Sequence, residues 1–498
     1  VTRFLMCWGT SSGAGKSWLA TALCRAAARR GIAVRPFKAQ NMSNNARVVA
    51  GPDGAGAEIG AAQWFQARAA GVEPTVDMNP VLLKPERDTA SQVVVHGRVD
   101  AALSRQGWRE RSATLAGAAA ASLERLARGC ELVVIEGAGS PAEINLAPQD
   151  YVNLGTARQA RALGGFASLL VADIDRGGAF AHLYGTWALL PDDLRTTLRG
   201  FVLNRFRGDA ALLEPGPAQL RRLTGVPLAG TIPMVRDHGL PEEDGLHDAG
   251  DPLAPKAGRR RVAVLAAPHV SNLDEFEPLR RLPGVQLAWV RAPHELGDAD
   301  WIVLPGSKQV SGDLAWLRAR GLDAAVARHA AAGRPVLGIC GGLQMLGEAL
   351  VDPAGHDGEP GFAGPGLGLL PLVTRYEAGK RVRRACLRFE ALDGPWAPWA
   401  GLGVEGYEIH CGVTVPHPDM AAPTVALRDA AGAPIGWQRG PVLGVYAHGL
   451  LESPPLLRAL FGATVPPLEA SFDRLADLVE RHLDARLLAE LLGRGTTT

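Results

Sequence analysis

Two stretches of this sequence carry residue types at spacings that could do chemistry. The first, Gly9-Thr-Ser-Ser-Gly-Ala-Gly-Lys-Ser17, joins the strand-like run RFLMCW to an Ala-rich helical stretch. Backbone N–H groups in such a turn, with a helix N-terminus behind them, form a cradle for phosphate oxygens. Gly13 and Gly15 allow close backbone approach, Lys16 can reach the β- and γ-phosphates of a nucleotide, and the Ser17 hydroxyl can hold Mg²⁺. The second stretch, Gly338-Ile-Cys340-Gly-Gly342, lies between apolar PVLGI and helical LQMLGEAL. A cysteine on so sharp a strand-to-helix turn is held near backbone N–H donors and the positive end of a helix. That setting favours thiolate and can stabilise a tetrahedral oxyanion. His448, after the apolar run GPVLGVYA, is the candidate base, because distance along the chain does not prevent pairing in space.

Three further side chains belong beside the phosphate loop. Glu136 ends the run ELVVIE and is followed by Gly-Ala-Gly, and a carboxylate at the end of a central strand can bind Mg²⁺ directly or through water. Lys38, after IAVRPF, is a second cation for a phosphate in transfer. Glu58 is a further Mg²⁺ candidate, with a purely structural role weighing equally. Cys7 and Cys130 read as core cysteines.

The elements that must position these groups follow from periodicity. Apolar strand-like runs at Arg3–Trp8, Ile32–Phe37, Glu131–Ile135, Ser168–Ala172, Gly200–Leu203 and Pro227–Ile232 alternate with helical stretches, the pattern of a mostly parallel sheet. A polar Pro/Gly-rich segment, RDHGLPEEDGLHDAGDPLAPKAGRR, has no periodicity and reads as a linker. A second alternation starts at Arg261 with RVAVLAAP, VQLAWV, ADWIVLPGS and RPVLGIC. Beyond Gly366 the pattern is shorter and more β-like, and it closes in helix from Pro454. The expected organisation is α/β in two domains: 1–235 for the phosphate loop, a linker over 236–260, a second domain over 261–455, and a helical extension over 456–498.

Composition limits the partners. Lys and Arg (52) nearly balance Asp and Glu (51), so no global field draws the chain to nucleic acid or an anionic membrane. Six dispersed cysteines make neither a disulfide framework nor paired zinc ligands, which fits a reduced, cytoplasmic setting. VTRFLMCWGT runs straight into a strand, so no signal peptide is expected, and no apolar run is long enough to span a membrane.

Resemblance goes further. Five residues, not four, separate Gly9 from Gly15, a spacing this segment shares with dethiobiotin synthetase-like ATPases. Partition ATPases carry an extra lysine early in the loop, where this chain has Thr10-Ser11-Ser12. The second domain resembles class I, triad-type glutamine amidotransferases. That likeness implies Cys340 as nucleophile on the glutamine amide and His448 as base, with an oxyanion hole from the LPGS loop at Gly306 and the Gly341 N–H. The usual triad glutamate stands two residues after the histidine, where this chain has Leu450, so the expectation is a dyad with slower glutaminase chemistry.

The blocks PFKAQNMSNN, MNPVLLKP, VVIEGAGSPAEINL, VADIDRGGAF, NRFRGD, LPGSKQVSGDLAWLR, GICGG and GYEIHCG, in this order, resemble the cobyric acid synthase family. This implies ATP-, Mg²⁺- and glutamine-dependent amidation of four peripheral carboxylates of a corrinoid, adenosylcobyrinic acid a,c-diamide. Asn41, Asn44, Lys84, Asp150, Asn153, Arg176, Arg205 and Arg207 are the candidate contacts to that polycarboxylate. The competing readings are the related cobyrinic acid a,c-diamide synthase and a P-loop regulatory protein with an inactive glutaminase-like module.

Overall fold

Six parallel strands form the first sheet of the computed structural model, which describes residues 2–87, 90–241 and 258–493. Their order is Leu228–Pro233, Leu198–Phe206, Gly165–Asp173, Arg3–Gly9, Leu132–Glu136 and Val34–Phe37. Parallel strands are buried on both faces, which is why they read as continuous apolar runs. Arg3–Gly9 is central and Cys7 pairs with Glu136, so the phosphate loop and the Glu136 carboxylate leave neighbouring strands at the same edge.

An eleven-stranded mixed sheet forms the second domain. Arg260–Leu265, Trp301–Leu304, Val336–Ile339 and Val442–Val445 run parallel, flanked by Val285–Val290. Leu304 pairs with Gly338 and Ile339 with Val445. The loops bearing Gly306, Cys340 and His448 therefore emerge side by side from three adjacent strand ends.

One feature differs from the sequence expectation. The β-rich part beyond Gly366 is not built of short pieces: Leu372–Phe389 and Gly403–Pro416 make a long antiparallel hairpin. That hairpin reaches the first domain, where Arg384 Nε donates to the Val48 carbonyl at 3.0 Å. The C-terminal extension is helical and folds back on the first domain. Its helix Leu468–His482 packs on Lys16–Arg29, burying Phe472, Leu475, Ala476 and Val479 in the core of the first domain. Arg25 and Arg29 bond Asp473 and Asp477 along the same seam. Of the expected linker, residues 242–257 lie outside the described residues, and a strand already begins at Arg260. Among the described residues, no helix is long and apolar enough to cross a membrane.

Candidate functional site

The cysteine turn is the tightest local structure in the second domain. Cys340 has φ 53° and ψ −106°, a left-handed region that a side chain occupies only when its surroundings enforce it. Small neighbours make this possible: a Cβ on Gly342 would collide with the Leu304 carbonyl, and one on Gly341 would lie 2.8 Å from the Ser307 nitrogen. The Cys340 N–H donates to Val445 at 2.7 Å, fixing the turn to the strand that leads to His448.

His448 is 1% exposed. Its Nδ1 lies 3.0 Å from Glu275 Oε1, and Glu275 Oε2 accepts the Gly449 N–H at 3.2 Å. Tyr407 stacks on the imidazole with centroids 5.3 Å apart and exchanges two backbone hydrogen bonds with His448. Burial alone would push the imidazolium down, but Glu275 and Cys340 outweigh it and raise His448 to about 10. A Cβ on Gly306 would come 3.0 Å from His448 Cε1, so Gly306, Gly341, Cys340 and His448 are gathered in one place. The Gly306–Ser307 loop is itself fixed by pairing with Val270–Ser271 and by Ser307 Oγ donating to Asp313 at 2.6 Å.

The dyad expectation needs correction. Leu450 is buried and apolar as anticipated, but the acid beside His448 is Glu275, 173 residues upstream in the sequence LDEFEPL. No spacing rule points to it, and it stands between two other acids, Asp274 and Glu277, with nothing in the sequence to single it out. Glu452, the nearer acid, clamps Arg47 of the first domain. His410 is engaged with Glu408 at 3.1 Å and stacked on Tyr446.

In the first domain, Glu136 is 1% exposed and surrounded by donors. Its Oε1 accepts from Ser17 Oγ and Lys38 Nζ, both at 2.8 Å, and its Oε2 from Gln66 at 2.5 Å and Gln63 at 3.3 Å. Lys16 Nζ donates to the Ser11 and Gly139 carbonyls at 2.8 and 3.0 Å. Gly15 has φ 105°, and a Cβ there would overlap the Asn204 amide, which braces the loop by donating to Ala14 at 3.0 Å. Asn204, Gln63 and Gln66 were not singled out from sequence, since each acts through a tertiary contact.

A cavity of about 350 Å³ opens over this loop. Gly13, Gly15, Lys16, Ser17, Lys38, Asn41, Glu136, Arg176 and Arg205 all line it. Asn41 Nδ2 is buried there without a hydrogen-bond partner among the described residues, and Arg176 and Arg205 share Asp173. Asn44 lies beside this segment and keeps a buried Oδ1 that has no hydrogen-bond partner among the described residues.

Other expected contacts lie elsewhere. Glu58 does not line the cavity; it pairs with Lys84 and, at 2.5 Å, with Lys380 of the second domain. Lys84 is likewise absent from the lining and fully buried, where burial and neighbouring lysines lower it to about 7 against the pull of Glu58. Arg207 pairs with Asp175. Asp150 caps Asn153, whose amide bonds both backbone groups of Ala138, so these two shape the loop after Glu136.

Comparisons with known proteins bear on both halves. Residues 5–246 match the CobQ/CobB/MinD/ParA nucleotide binding domain, and residues 261–456 match the CobB/CobQ-like glutamine amidotransferase domain. The chain is 62% identical to the cobyric acid synthase of Methylibium petroleiphilum, over 98% of this chain and 97% of that protein. It is 60% identical to that of Leptothrix cholodnii over 98% and 97%, and 56% identical to that of a Polaromonas species over 99% of each chain.

Proposed function

The chain belongs to the cobyric acid synthase family, and from that premise we propose how its residues divide the work. The enzyme is a glutamine-hydrolysing ligase that uses ATP to amidate four peripheral carboxylates of adenosylcobyrinic acid a,c-diamide.

In our reading, Cys340 attacks the side-chain amide carbon of glutamine. A cationic imidazole beside a cysteine sulfur stabilises the thiolate, the nucleophilic form. The Gly341 N–H and the Gly306 loop receive the oxyanion of the tetrahedral intermediate. His448, oriented by Glu275, protonates the departing ammonia and then takes a proton from the water that hydrolyses the glutamyl thioester. The observation that carries this reading is the convergence of Cys340, His448 and Glu275, with a 3.0 Å imidazole–carboxylate contact, at three neighbouring segments.

At the other site, Lys16, Lys38 and the loop backbone bind the ATP phosphates, and a corrinoid carboxylate takes the γ-phosphoryl group to become an acyl phosphate. Ammonia displaces phosphate and leaves the carboxamide. Ser17 and Glu136 present hard oxygen donors 2.8 Å apart on the cavity wall, a set that suits Mg²⁺, which would supply charge neutralisation of the phosphates there. Asn41, Arg176 and Arg205 are lining residues suited to anionic groups of the acceptor. The six free thiols suit a reduced cytoplasm.

The test is product mass after incubation with ATP, Mg²⁺, glutamine and either the a,c-diamide or cobyrinic acid. We expect four added amides on the a,c-diamide. Exclusive conversion of cobyrinic acid to its a,c-diamide would overturn the acceptor assignment.

A further inference from the structure

The glutaminase site borrows part of its frame from the other domain. Arg47, on the strand Ala46–Ala50 of the first domain, is 4% exposed and sits at the boundary. Its Nε donates to Asp274 Oδ2 at 2.7 Å, and its two terminal nitrogens donate to the two oxygens of Glu452 at 2.9 and 2.6 Å. The guanidinium also lies 5.4 Å from the centroid of the Tyr407 ring.

Each of these partners adjoins the His448–Glu275 pair. Asp274 precedes Glu275, Glu452 lies on the short 3₁₀ turn just after His448, and Tyr407 stacks on His448. Neighbouring residues reinforce the grip. Asn45 Oδ1 accepts the Leu273 N–H at 2.8 Å, and Asn272 Nδ2 donates to the Ala46 carbonyl at 3.2 Å and to the Tyr407 hydroxyl at 2.9 Å. A planar guanidinium fixes orientation through its fork of donors, and its loss would leave the buried Asp274 carboxylate and the part-buried Glu452 carboxylate uncompensated next to Glu275.

We propose that Arg47 is a positioning residue of the glutaminase site, holding the 272–275 loop so that Glu275 meets His448. Ammonia release then depends on a residue supplied by the domain that consumes the ammonia. The inference rests on His448 acting as the glutaminase base.

The charged and titratable groups around that histidine are Cys340, Glu275, Asp274, Glu452, Arg47 and Tyr407. A displaced Glu275 therefore changes the pH range over which the imidazole stays protonated.

The experiment compares Arg47→Ala, Arg47→Lys and Cys340→Ala in the full chain. Glutamine hydrolysis is followed across pH, and corrinoid amidation is followed with saturating ammonia. Arg47→Ala should lower kcat for glutamine at least about tenfold, with KM moving less than about twofold. Its alkaline limb should move away from the parental pH, and ammonia-dependent amidation should stay within about twofold of the parent. Arg47→Lys should recover part of the loss, since charge returns without the fork. Parental glutamine kinetics with an unshifted limb in Arg47→Ala would overturn the proposal, as would an equal loss of the ammonia reaction. If Cys340→Ala is inactive with glutamine in those circumstances, only the role of Arg47 falls; if it is active, the site assignment falls with it.

Discussion

At the scale of single residues, glutamine hydrolysis turns on the environment of one imidazole. His448 is raised to about 10 because Glu275 and Cys340 outweigh the opposing effect of burial. Glutamine hydrolysis should therefore persist at alkaline pH and fall as pH rises through about 10, where the imidazolium loses its proton. Glu275→Gln removes a contribution that raises the value, so the alkaline limb should move to lower pH, with kcat/KM reduced ~10- to 100-fold. A pH–rate profile with an unmoved limb would contradict the pairing. Cys340 and His448 were legible in the sequence because each follows an apolar strand, and the ends of parallel strands are where such sheets gather reactive groups. Glu275 was not, because its carboxylate meets His448 through folding alone. Glu58 shows the converse: an acid near a phosphate loop in sequence can be committed to lysines instead, here Lys84 and Lys380.

At the scale of elements, parallel strand ends bring the chemistry together. The apolar runs were readable as strands, and the positions of Gly306, Cys340 and His448 follow once Val336–Ile339 lies between Trp301–Leu304 and Val442–Val445. The long hairpin was less legible, since much of Leu372–Phe389 is exposed and carries the charged stretch KRVRR, which weakens apolar alternation. The turn itself is a test of the element. Gly342→Ala places a methyl group against the Leu304 carbonyl, so glutamine-dependent turnover should drop by about a hundredfold or more. Ammonia-dependent amidation, measured in the same preparation, should remain.

At the scale of the molecule, the chain closes on itself. Order along the sequence implied two domains and a trailing helix, but periodicity cannot say which surface an amphipathic helix will cover. The helix Leu468–His482 covers the first domain, next to the phosphate-loop helix Lys16–Arg29. Its exposed ion pairs are worth ~0–1 kcal/mol each, whereas burial of a large apolar side chain contributes ~1.5–3 kcal/mol. Leu475→Ala should then cost ~2–5 kcal/mol, read by denaturant unfolding of the first domain, while Asp473→Ala should cost under ~1 kcal/mol. Equal effects would place the docking energy in the ion pairs.

On the proposed division of work, Cys340 releases the ammonia that a separate, phosphate-loop site consumes. The most direct test of this division is the mass of the corrinoid product made by Cys340→Ala with ATP and Mg²⁺, supplied either with glutamine or with saturating ammonia. Full amidation from ammonia and none from glutamine is the expected result. Amidation from glutamine at the parental rate would contradict it.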